Sequence, residues 1–211
     1  MTNPNMQTKL IISFLAILGF REAFATTVPN QVSKTSQLFD ALPEWNIKTS
    51  PGGPVVSFNG TVEALFAYMD SEYPEHLSDV FDLDVVFGSG ERGQKLDTPM
   101  LEKRTDFSES DAVCYSGAVA DGRAITDGIE YLRGVRGQPS LPVDGSYLVS
   151  CSQNSGIKWH NHSKQQITLE SFGSIADGAQ HIVKFCRKED KVGGVVFHHT
   201  QWGVEIRKAT C

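Results

Sequence analysis

Cysteine is missing from the first half of this chain, and basic residues are scarce there. Between Thr26 and Arg104 no cysteine occurs, and twelve Asp and Glu stand against six Lys and Arg. That stretch therefore has no disulfide of its own, and its acidic balance excludes a nucleic-acid role, which needs a basic face. Long apolar runs are also lacking. Beyond the first twenty residues none approaches the roughly 20 apolar residues that span a bilayer, so no membrane anchor is expected. No Gly-x-Ser-x-Gly elbow, His-Glu-x-x-His or phosphate-binding glycine loop occurs. No catalytic residue, metal ligand or cofactor is therefore assigned, and the chain is not expected to be an enzyme.

At the start of the sequence, Lys9 supplies a positive charge and Leu10 to Phe20 form an apolar run. Ala23-Phe24-Ala25 follows with the small-x-small form that a signal peptidase accepts. A short apolar run can also be a buried core helix. Its place at the start and its Ala-x-Ala stop favour a signal peptide, 1–25, cleaved after Ala25. The product is expected to be secreted and extracellular. In that oxidising setting, the four cysteines, Cys114, Cys151, Cys186 and Cys211, imply two disulfides, for which the sequence allows three pairings.

The chain changes character near residue 104. From Thr105 onward the charge is nearly balanced, with twelve Asp and Glu against eleven Lys and Arg. The junction carries Lys103-Arg104, the pair that dibasic convertases of the late secretory pathway cut. A Lys-Arg pair also arises by chance on polar surfaces. Its position between a cysteine-free acidic half and a cysteine-bearing half favours processing after Arg104. Residues 26–104 are then an acidic, loosely structured pro-segment and 105–211 the mature domain. The pro-segment is broken by Pro51-Gly-Gly-Pro54. From Thr61 a helix is expected, with Val62, Leu65, Phe66 and Met69 on one face, ended by Pro74. This stripe either covers the mature domain until cleavage or belongs to a weakly folded spacer.

The second half reads as α+β. Ile125, Ile129 and Leu132 recur at helical spacing, and Gly134 stops that helix. Tyr147 to Ser152 and Ile157 to Asn161 read as strands joined by a turn at Gln153-Asn-Ser-Gly156. Ser174 with Asp177 suggests a capping box opening a helix that carries Ile175, Ala179, Ile182 and Cys186 on one stripe. Val195 to His199 and Gly203 to Lys208 form a hairpin. Two helices on one face of an antiparallel sheet of about four strands is the expected fold. A core of this size is marginal by burial alone, so its disulfides matter.

Several side chains invite a chemical reading that a structural one outweighs. His160, His162 and the pair His198-His199 lack the acidic or cysteine partners of a metal site, and are expected to be exposed. Neighbouring histidines on a strand are expected to face opposite ways. Asp121, Asp127 and Glu130 suit a helix start or a solvated face. Lys184, Arg187, Lys188 and Lys191 sit near a helix end, where cations favour the helix dipole. Two sequons occur, Asn59-Gly-Thr61 and Asn161-His-Ser163, the second expected on the surface at a strand end.

Residues 114–211 resemble a family of small secreted fungal proteins related to killer toxins and necrosis-inducing effectors. The resemblance is carried by Ile125-x-x-x-Ile129-x-Tyr131-Leu132-x-Gly134, by Val149-Ser150-Cys151-Ser152-x-Asn154-Ser155 and by Gly156-Ile157-x-Trp159. It extends through Ser174-Ile-Ala-Asp-Gly178 and Trp202-x-Val204-x-Ile206. It implies a helix–hairpin–helix–hairpin sandwich and the pairings Cys114–Cys186 and Cys151–Cys211. Relatives commonly carry two further cysteines where Tyr147 and His160 stand here, as expected of a bridge across one hairpin. The implied function is a toxin or effector, a virulence factor that acts by binding without catalysis. Its implied target is a host or competitor protein, a membrane protein or a cell-wall component, and a monomer is expected. The alternative is a secreted hydrolase or cell-wall-binding protein.

Overall fold

In a computed structural model, residues 41–48, 52–88 and 104–211 are described. Ala25 and Lys103 lie outside the described residues. The first folded piece is a hairpin of β1, Glu44–Lys48, and β2, Val55–Asn59, with Trp45 opposite Phe58 and Ile47 opposite Val56. Alternation along β1 turns Trp45 and Ile47 inward. The helix α1, Val62–Glu72, follows and buries Val62, Leu65 and Met69, the i, i+3, i+7 stripe of one helix face. Pro74 opens a single 3-10 turn, and two short helices complete the segment, α2, Leu77–Val80, and α3, Leu83–Val86.

The second part begins with β3, Val113–Cys114, and β4, Ala120–Asp121. Asp121 caps α4, Gly122–Gly134, by accepting from the amides of Arg123 and Ala124. After β5, Ser140–Leu141, come β6, Ser146–Ser152, and β7, Ser155–Asn161. Their two-residue turn, Gln153-Asn154, has positive φ at both positions, the handedness tight hairpins favour. Then follow β8, Ile167–Thr168, and α5, Gly173–Cys186. The chain closes with β9, Lys191–Val192, β10, Gly194–His198, and β11, Trp202–Lys208.

The main sheet is antiparallel with order β3-β10-β11-β7-β6. One face is apolar: Val196, Val204, Ile206, Ile157 and Trp159 are buried there. The helices α5, α4 and α1 pack across that face, from the β10 side to the β6 edge. Cys114 is bonded to Cys186, which ties β3 to the end of α5, and Cys151 to Cys211, which ties β6 to the residues after β11. Each bridge closes a long loop, and losing one typically costs about 2–5 kcal/mol.

The structure corrects several expectations. The described part of residues 26–104 is not loosely structured. Val62, Leu65, Met69 and Phe81 are fully buried in the same core as Ile125, Leu132, Ile157 and Ile175. Burying one such side chain is worth about 1.5–3 kcal/mol, so this stripe is no spacer. The sheet has five strands because β3 adds to the β10 edge. Ser174 lies inside α5 and makes no capping box; Asp177 instead pairs with Arg133 at 2.8 Å. Gly134 ends its helix without a positive φ. It is small because Val86 and the backbone of Asp82 lie where a side chain would be. Finally, Tyr147 stands opposite Trp159 while His160 stands opposite Ser146. Positions 147 and 160 therefore face opposite sides of the sheet, and no bridge joins them in this register.

Candidate binding surface

The sheet face away from the helices carries the polar and aromatic residues of alternate strand positions. The segment after β3 folds over part of it and places Tyr115 against β11. The Tyr115 hydroxyl donates to Glu205 Oε1 at 3.0 Å, and His160 Nε2 donates to Glu205 Oε2 at 3.2 Å. The His160 hydrogen bond holds the Glu205 carboxyl below its ordinary range, with help from Tyr115 and against the effect of partial burial. Burial, followed by the charge of Glu205, pushes the Tyr115 phenol up to about 12.

This network fixes an aromatic patch. His160 stacks on His162, ring centres 5.9 Å apart, and His162 meets Phe197 edge-on at 5.1 Å. Phe197 stays 48 % exposed near the end of β10, past the stretch Gly194–Val195 that β3 covers. It lies over Gly203, where any side chain would collide with its ring. Val113, also exposed, extends the apolar character toward the sheet edge. The arrangement presents a rigid ring, two imidazoles and a carboxylate on a disulfide-braced frame. Such a surface suits recognition of another macromolecule, since aromatic anchors on a fixed frame lose little entropy on binding.

A second feature is a cleft of about 750 Å³ whose walls come from both halves of the chain. Trp45 and Ile47 of β1 form one side; Val135 to Pro139, Tyr147 and Phe172 contribute the other. Trp45 stacks on Phe172 with ring centres 4.7 Å apart.

The remaining residues singled out above fall into place separately. His198 and His199 do not face opposite ways. Strand β10 ends at His198, so alternation stops there and the two rings lie 4.0 Å apart. Burial, then the charge of His199, holds His198 below its ordinary range. Among the described residues no cluster of three or more metal-ligating side chains occurs. Asp121 is the cap of α4 and also pairs with Lys191 at 3.3 Å, while Asp127 and Glu130 are exposed on α4. Arg187 pairs with Asp190, and Lys184 lies over the Phe185 ring.

The two sequons differ sharply. Asn59 is exposed at the end of β2. Asn161, expected on the surface, is 1 % exposed. Its Nδ2, the atom a glycan would occupy, donates to the carbonyls of Leu141, Pro142 and Gln165, and its Oδ1 accepts from the Ser163 amide. Asn161 is thus a buried organiser of the loop after β7.

Arg104 is exposed. Directly behind it the Thr105 amide donates to Asp177 at 2.8 Å, and Phe107 is buried against Trp202. No helix among the described residues is long and apolar enough to cross a membrane. Sequence motifs marked the cysteines and histidines, but not the Tyr115–Glu205–His160 network, which spans three segments and leaves no local spacing to read. Compared with protein-family models, curated proteins and solved structures, the chain matches none of them.

Proposed function

We propose that the chain is the secreted precursor of a toxin or effector that acts outside the cell by binding, without turnover. Residues 1–25 serve as its signal peptide, and Lys103-Arg104 is its processing site. The observation that carries this reading is the Phe197–His162–His160 patch, an exposed aromatic ring set against two imidazoles, the second of them bonded to Glu205, on a domain braced by two disulfides. The helix, hairpin, helix, hairpin order of residues 122–208 supports the likeness to the killer-toxin-like family. The target this patch fits is a protein on a competing or host cell, offering an apolar side chain to Phe197 and a carboxylate to the imidazoles.

Purified protein, applied to other fungi and to host tissue, tests the reading. Growth arrest of fungi identifies a killer-type toxin, and necrosis or suppressed immunity in host tissue identifies an effector. In either case Phe197→Ala reduces the effect at least tenfold while leaving the unfolding curve unchanged. Turnover of a glycan or peptide by the protein would overturn the binding-only reading.

A further inference from the structure

We infer that a cut after Arg104 does not release the first half: residues 41–88 stay seated on residues 105–211, giving a two-chain protein held without a covalent bond. This inference rests on the processing reading above. The first half has no cysteine, and both disulfides lie within the second half. Nothing covalent would therefore join the two pieces once the chain is cut.

What joins them instead is a core interior. Leu65, Met69 and Phe81 from the first piece share one buried cluster with Leu132, Val149 and Trp159 from the second. Polar groups are matched across the same junction. Glu63 of α1 accepts from Ser150 Oγ at 2.5 Å and from the Cys151 amide at 3.0 Å. The backbone crosses over three more times: Asp82 N–H donates to Gly134, Arg136 N–H to Val80, and Leu148 N–H to Ala41. Phe81 and Val135 form an isolated antiparallel bridge there. Removing the first piece would expose the apolar face of α4 beside β6 and strip Ser150 and Cys151 of their acceptor. An interface this apolar and this well matched resembles a domain core cut in two, the character of an obligate contact.

The new chain end is also provided for. Cleavage turns the Thr105 amide into an ammonium, at a nitrogen already 2.8 Å from Asp177 Oδ2. The other oxygen of Asp177 is held by Arg133 at 2.8 Å. Phe107, buried two residues on, anchors that end to the second half. The cut therefore adds a charge next to a carboxylate at an end that is already tied down. The cleft between β1 and Phe172 has walls from both pieces, and it survives processing only if both remain.

The test uses the full chain, secreted and purified, then cut by a protease specific for paired basic residues. Cleavage at Arg104 is checked by mass. The cut sample is run by gel filtration and native mass spectrometry, in buffer and in denaturant, with disulfides intact. A complex of both pieces in buffer, separating only in denaturant, is the expected result. Glu63→Gln should speed release of the first piece from the cut protein by tenfold or more while the uncut variant remains folded. Separate elution of a folded 105–211 in buffer would overturn the inference. A second form with a foreign protease site placed in residues 89–103 asks the same question whether or not Arg104 is cut. If Arg104 resists cleavage but this second form holds together, the processing reading fails and the packing inference stands.

Discussion

Glu63 is one carboxylate serving two donors of a buried strand, so its loss leaves both unsatisfied. The change Glu63→Ala is expected to lower stability by about 1–3 kcal/mol, read from chemical denaturation with the disulfides intact. Asn161 holds three carbonyls with one amide nitrogen. Asn161→Ala should cost on the order of 3 kcal/mol by the same reasoning. Peptide mapping of the secreted protein should find glycan on Asn59 and none on Asn161. Tyr115 bears on alkaline stability. Its folded pKa lies near 12, above the ordinary value of about 10. Its contribution is therefore complete below pH 10 and is lost as pH rises toward 12, and Tyr115→Phe should remove that alkaline decline. For Glu205 the sign is opposite: its depressed pKa adds stability that is lost as pH falls through and below the ordinary glutamate range.

Among the elements, α4 and α5 were readable because their apolar residues repeat at helical spacing and face one core. The α1 stripe was equally readable, but its partner was not. A stripe states that a face must be buried, and says nothing of what buries it. The pairing of Phe81 with Val135 joins residues far apart in sequence, which leaves no local mark. The hairpin of β1 and β2 escaped notice because each strand is five residues long and only two side chains of β1 turn inward. The supposed capping box failed because Asp177 is engaged with Arg133 and Thr105. A side-chain cap is found on α4 instead, where Asp121 gives a clean test: Asp121→Ala should cost about 0.5–2 kcal/mol, measured by thermal unfolding. Of the candidate surface, the histidines were legible, but their company was not: Phe197 and His160 come together through sheet register and Tyr115 reaches Glu205 by the fold of the segment after β3.

At the scale of the whole molecule, one core is built from both sides of the dibasic pair, and its braces lie on one side only. Opening the Cys151–Cys211 bridge by Cys211→Ser, a change that keeps Cys114–Cys186, should cost about 2–5 kcal/mol. Near-ultraviolet circular dichroism during denaturation measures the loss. The sheet order has a further consequence for how the protein is made. β11 lies between β10 and β7, so the strand made after all its sheet partners is the middle of the sheet. Until Lys208 has emerged, β7 and β10 have no common neighbour, and the face of α5 has no complete floor. Formation of the sheet therefore waits for β11, and a chain truncated before Trp202 should remain as open to protease as an unfolded one.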